Sequence, residues 1–267
     1  MNRLNSNPIF KDLFLSLKKI NLAKILGWQD VVKKYKRSFL GPFWITISML
    51  IMTFTISIIF GQIFKISLSD YIPFISIGII LWNFISTSIR EGCSCFINYS
   101  ILIKQLSLPL YLYIFRLIWK NLIILIHNII IFPLITLFFG NSVYLISIMS
   151  IIGIMILILN LVWICTLLAI ICTRYRDIEQ IINNILQIIF YITPIIWMPN
   201  LLEKKSKFIC LIKLNPFNNF IQIIRYPLLG YIPEMYNWII SIFFLILGFS
   251  ITIYYYNIYK NKITYWI

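Results

Sequence analysis

Arg116, Lys120 and His127 carry the strongest chemical signal in the chain. Their spacing of i, i+4 and i+11 places them within about 40° of one another on a helix that turns about 100° per residue. They sit at the edge of, or inside, a long apolar stretch, where ionisable groups mark a site or reach back to the headgroups. The functional reading is a cationic inner mouth, Arg116 and Lys120, that meets an anionic group such as a lipid phosphate. Snorkelling of both side chains to the headgroups is the competing reading, and His127 alone reads as a hydrogen-bonded packing residue. Catalytic constellations are sparse elsewhere. The close acidic pair Asp177 and Glu179 lies in a short loop, RYRDIEQ. One histidine and five cysteines, with Cys93 and Cys95 as C-x-C and Cys165, Cys172 and Cys210 apart, give no zinc pattern and read as small reduced apolar side chains. No G-x-x-x-x-G-K-[ST] phosphate loop is present, and no carboxylate lies deep in an apolar stretch as ion-coupled transporters require. Uphill transport by this chain would therefore draw its energy from a partner.

The elements that position these residues are membrane helices. Of 267 residues, 61% are hydrophobic and 12% charged, far from the balance of a soluble domain. The fold class expected is an all-α polytopic membrane protein with six transmembrane helices. Charge-free stretches and turn residues place them at about 41–64, 71–89, 112–138, 144–172, 180–199 and 236–258. KISLSD makes the first two a tight hairpin, FFGNSVY splits the long apolar run between Lys120 and Arg174, and Pro194 and Pro199 end the fifth helix. The domain reading is a 1–40 interfacial segment, a single transmembrane domain over 41–258 and a 259–267 tail. Nine Lys and Arg precede the first helix within a net charge of +15, so both termini are expected in the cytoplasm. Phe10, Leu13, Phe14 and Leu17 recur at i, i+3, i+4 and i+7, the stripe of a helix lying on the membrane surface rather than a signal peptide. Between the fifth and sixth helices, FICLIKL and FNNFIQII are apolar but too short to cross. Asn215 followed by Pro216 reads as a helix N-cap with proline in the first turn, giving short outer gate helices.

Four stretches in order resemble one family. KYKRSFLGPFWITISM (34–49), YIPFISIGIILWNFISTSIREG (71–92), RYRDIEQIINNILQIIFYITPIIWMP (174–199) and NPFNNFIQIIRYPLLG (215–230) are similar to ABC-2 type permeases of polysaccharide and O-antigen (lipopolysaccharide) exporters. The resemblance implies a non-catalytic permease subunit, a homodimer docked on two copies of a separate ABC ATPase that binds ATP and magnesium. It implies export of undecaprenyl-diphosphate-linked polysaccharide across a bacterial inner membrane, with no metal and no nucleic acid in this chain. Carried over by residue, Tyr35, Lys36, Arg37, Ser38, Leu40, Gly41 and Trp44 form the interfacial lead-in to the first helix. The loop at about 93–109, with Asn98 and Lys104, holds the ATPase-coupling helix, and Arg174, Arg176 and Asp177 join it. Pro194, Trp197, Asn215, Pro216 and Arg225 shape the outer gate.

Four other readings compete. A small hydrophobic drug or lipid exporter of the same superfamily lacks the polysaccharide-type motifs. Capsule or teichoic-acid export is a variation within the class. A membrane anchor would not need Arg116, Lys120 and His127 on one face. An integral glycan-biosynthesis enzyme would need acid, base or metal groups.

Overall fold

Charge-free stretches become long helices because every backbone polar group in lipid must be satisfied within its own segment. The computed structural model describes residues 8–36, 41, 43–139, 144–199 and 207–267, and only the backbone of Pro8, Lys34, Tyr35 and 207–209. The described residues form helices joined by short turns and connecting segments, with no strand among them. The helices are α1 (Pro8–Lys18), α2 (Ile20–Tyr35), α3 (Phe43–Phe64), α4 (Leu68–Asn98), α5 (Ser100–Gln105), α6 (Leu110–Ile129) and α7 (Ile131–Phe138). A 3-10 turn, Leu145–Ile148, leads into α8 (Met149–Arg174), followed by α9 (Ile178–Ile192), α10 (Lys207–Leu214), α11 (Pro216–Leu228) and α12 (Met235–Trp266).

Five helical stretches are long and apolar enough to cross a membrane: Phe43–Phe64, Leu68–Asn98, Leu110–Phe138, Leu145–Arg174 and Met235–Trp266. The helix expected over about 180–199 stops at Ile192. Pro194 disfavours the α conformation of Thr193, and Thr193 lies at φ −79°, ψ 132°. The third stretch changes helix at Ile130, because Pro133 has no N–H to give the Ile129 carbonyl. Two helices outrun their expected ends: α4 continues to Asn98 and α12 to Trp266.

The centre of the bundle is α4. Of its most apolar stretch, 89% is buried in protein, against 17% for α3 and for α12. It packs on α8, α6 and α3, and α12 lies against α8. Large apolar side chains of α3, α8 and α12, such as Ile51, Ile63, Met155, Ile239 and Ile246, face outward.

The N-terminal helices pack by a side that mixes polar, small and a few apolar residues. Phe10, Phe14, Leu17, Leu22, Ile25 and Trp28 are exposed, while Ile9, Asp12, Ser16, Ala23 and Val31 are buried. An added Cβ at Gly27 would come within 2.9 Å of the Arg116 carbonyl oxygen, so glycine is what lets α2 approach α6.

Candidate functional site

The end of the bundle that carries α1 and α2 is built from carboxylates and cations. Arg116, 6% exposed, donates from Nε and Nη2 to the two oxygens of Asp30, each at 2.7 Å. The Tyr99 hydroxyl donates to the same carboxylate at 3.2 Å. Its ring lies 4.3 Å from the guanidinium carbon and stacks on Tyr113. Burial raises the Asp30 pKa, but the bonds from Arg116, its charge, the Tyr99 hydroxyl and the Lys120 charge together hold it below the usual carboxylate value. One turn along α6, Lys120 Nζ donates to Glu91 Oε1 at 2.5 Å and Asn121 Nδ2 to Glu91 Oε2 at 2.8 Å. Asp12 on α1 accepts from the Tyr256 hydroxyl at 2.7 Å, Lys260 Nζ at 3.1 Å and the Tyr111 amide at 3.2 Å. Asp12 and Asp30 thus fasten α1 and α2 to α6, α4 and α12.

This arrangement changes the electrostatics expected of Arg116 and Lys120. Each cation meets a carboxylate, so the formal charges of Arg116, Lys120, Asp30 and Glu91 cancel. His127 Nδ1 lies 2.8 Å from the carbonyl oxygen of Ile123 in its own helix, the contact of a packing residue. Asn98 ends α4 and donates to the Ser94 hydroxyl at 3.1 Å. Lys104, on α5, reaches the Ile267 carbonyl oxygen at 2.6 Å. Arg174 ends α8 with its guanidinium 4.9 Å from the Tyr175 ring and 5.4 Å from Trp266. Arg176 and Asp177 are exposed in the turn before α9. These five residues lie at the same end of the bundle as Asp12 and Asp30. Lys36 follows α2 and is exposed, Gly41 lies at φ 55°, and Trp44 is exposed in the first turn of α3. Arg37, Ser38, Leu40 and the Tyr35 side chain lie outside the described residues.

The opposite end is organised around the non-helical segment Thr193–Trp197, whose carbonyls need partners in an apolar setting. Arg225, fully buried, donates from Nη1 to the Pro194 carbonyl at 2.8 Å and lies 3.8 Å over the Phe74 ring. The Tyr71 hydroxyl donates to the Ile196 carbonyl. Asn215 caps α11 by accepting from the Phe217 amide at 3.0 Å, and its Nδ2 donates to the Thr193 hydroxyl at 2.8 Å. Pro216 takes the first helical position. Trp197 donates from Nε1 to the Tyr191 carbonyl at 3.1 Å. Pro194, Trp197, Asn215, Pro216 and Arg225 therefore form one cluster.

Between the two ends runs α9, with one side on α4 and α8. Its free side carries Gln180, Asn184, Gln187 and Tyr191, at i, i+4, i+7 and i+11, beside Ile181, Ile185 and Ile188, all exposed. Exposed amides on an otherwise apolar helix need water or hydroxyl partners. Among the described residues no group of three or more His, Cys, Asp or Glu is placed to hold a metal ion.

The family model for ABC-2 type transporters matches residues 21–229. This chain belongs to the ABC-2 type transporter family. It is also 19% identical over 188 residues to the O-antigen export system permease protein RfbA of Myxococcus xanthus, covering 70% of this chain and 72% of that protein. As an ABC-2 permease it is a non-catalytic, multi-pass membrane subunit, and its family implies a separate ABC ATPase that hydrolyses ATP. The ABC-2 match begins inside α2 and ends after α11, so it covers the Asp30–Arg116 and Glu91–Lys120 pairs and the Pro194–Arg225 cluster, while Asp12, Tyr256 and Lys260 lie outside it.

Several contacts of this permease go beyond the residues singled out from sequence. Asp12, Asp30, Tyr99, Tyr256 and Lys260 build the first end, and Tyr71 and Phe74 the second. One signal for the aspartates was present: they are the sole acidic residues before Asp70. They also lie five turns apart at about 3.6 residues per turn, off the apolar stripe.

Proposed function

We propose that this permease exports a polysaccharide linked to undecaprenyl diphosphate from the cytoplasmic to the outer leaflet of a bacterial inner membrane. The observation that carries the reading is the exposed amide ladder of α9. A hydrophobic cargo gains nothing from Gln180, Asn184 and Gln187, whereas a polyhydroxyl chain exchanges hydrogen bonds with them at little cost. The similarity to an O-antigen export permease supports the same cargo.

In this reading α9 and the segment after it complete a sixth crossing, and both termini face the cytoplasm with the Asp12 and Asp30 end. Two permeases pair so that their α9 ladders line a common path, with two ATPase subunits below. ATP and magnesium bind to those subunits. Asn98 at the end of α4, α5 with Lys104, and the Arg174–Asp177 turn receive their closing motion. The gate cluster at Pro194 and Arg225 opens the outer end. The exposed stripe of α1 and α2 lies in the inner headgroup layer, and Tyr35–Trp44 turns the chain into α3. Arg116 and Lys120 greet the diphosphate by exchanging Asp30 and Glu91 for phosphate oxygens. Exchange is required because the pairs are neutral as they stand.

Deletion of the gene tests the reading, with surface glycan and undecaprenyl-linked glycan measured separately. The expected outcome is loss outside with accumulation inside. Unchanged glycan in both places would instead assign a small hydrophobic or lipid cargo, and loss in both a biosynthetic role.

A further inference from the structure

Beyond the α9 path, a cavity of about 500 Å³ opens at the Arg225 end, between the start of α4, the α6–α7 stretch and the end of α11. That volume lies in the range of small-molecule sites. Five rings line it, Phe74, Phe132, Tyr144, Tyr226 and Tyr231, together with Asp70. Tyr144 reaches its place because residue 230 is glycine: an added Cβ there would come within 2.6 Å of the Tyr144 ring. Gly230 also holds φ 84°, so this wall of the cavity depends on glycine twice over. Tyr144, Tyr231 and Asp70 are exposed at the cavity. Ser67 Oγ donates to Asp70 Oδ2 at 2.6 Å, which fixes the carboxylate where the helix α4 begins.

The lining selects a ligand class. Among the described residues no Lys or Arg lines the cavity while the Asp70 carboxylate does, which disfavours an anionic phosphate there. Ring faces match the C–H faces of a pyranose, and a carboxylate accepts from its hydroxyls as a charge-assisted bond. We infer that this cavity is a saccharide subsite, in which a sugar unit stacks on the tyrosine and phenylalanine rings and donates to Asp70. The inference rests on the proposed glycan cargo. It also gives the gate a sensor, because Phe74 lines the cavity and carries the Arg225 guanidinium that holds the Pro194 carbonyl. A sugar that shifts Phe74 reaches the Thr193–Trp197 segment through two contacts.

Saturation-transfer NMR on the full-length protein in nanodiscs tests this. The probes are the methyl glycosides of glucose, galactose, rhamnose and N-acetylglucosamine, with ethidium as a hydrophobic cation. Transfer to at least one glycoside is expected. Asp70→Asn should weaken it about tenfold, the loss for one hydrogen bond to a charged group. Tyr231→Ala, at an exposed ring, should weaken it without unfolding the protein, and Gly230→Ala should do so by displacing Tyr144. No transfer to any glycoside, transfer unchanged in Asp70→Asn and Tyr231→Ala, or transfer to ethidium alone would overturn the assignment. The gene deletion above judges the cargo separately: glycan that accumulates inside while no glycoside binds overturns the subsite and leaves the export reading standing.

Discussion

Replacing Asp30 with alanine should release α2 from the bundle. The side chains of Arg116 and Asp30 are 7% and 17% exposed, and truncating one partner of a buried pair costs about 3–5 kcal/mol. Arg116 keeps its stack on Tyr99, so the expected loss is about 2–3 kcal/mol, toward the lower end of that range. Arg116→Met should cost a similar amount, because Asp30 is then buried with Tyr99 as its remaining described donor. The Asp30→Ala, Arg116→Met double change leaves no unpaired charge and should cost less than the sum of the singles by about 2 kcal/mol. Thermal unfolding in detergent reads the stability. Limited trypsin digestion at Lys18, Lys19 and Lys24, all exposed, reads the docking of α1 and α2. Acid gives an independent check. The Asp30 pKa is lowered from 3.8, so the pair's contribution is complete above the unfolded value and falls away as pH drops through the lower folded one. The unfolding temperature of wild type measured below about pH 4 should therefore fall, with a smaller acid effect in Asp30→Ala. Additive single changes, or cleavage rates that neither single change moves, would refute the idea that this pair holds the N-terminal helices.

Three further outcomes are expected. Lys65 holds φ 54° at the turn between α3 and α4, so Lys65→Gly should stabilise the protein by about 1 kcal/mol, read as a higher unfolding temperature; a lower temperature would mean the side chain matters there. Asn184→Leu with Gln187→Leu should cut surface glycan about fivefold or more while leaving expression intact; normal export would remove the amide ladder from the path. Glu91→Gln frees Lys120 for phosphate and should preserve export while Lys120→Met lowers it; equal losses in both would make the Glu91–Lys120 pair a helix fastener only.

Much of the fold is legible because lipid permits few backbone solutions. Arg37 to Lys65 bounds the stretch that holds α3, Asp70 to Arg90 and Glu234 to Lys260 mark the apolar middles of α4 and α12, which run on to Asn98 and Trp266, and Asn215–Pro216 starts α11 as capping chemistry predicts. What the sequence hides is which face of a helix turns inward. In water the apolar stripe of α1 would mark the core; here Phe10, Phe14 and Leu17 face out, and Asp12 and Ser16 face in. The same inversion concealed the partner of Arg116, since Asp30 lies 86 positions away and helical spacing says nothing about contacts between helices. It also explains why α9 stands apart. Asp12, Asp30, Glu91 and Asn215 each end in a named contact. Gln180, Asn184 and Gln187 are instead exposed along one side of a helix flanked by apolar neighbours. Lipid offers them no hydrogen bonds, so that side of α9 must meet water, a second protein or the hydroxyls of a cargo. A glycan path supplies the first and third together.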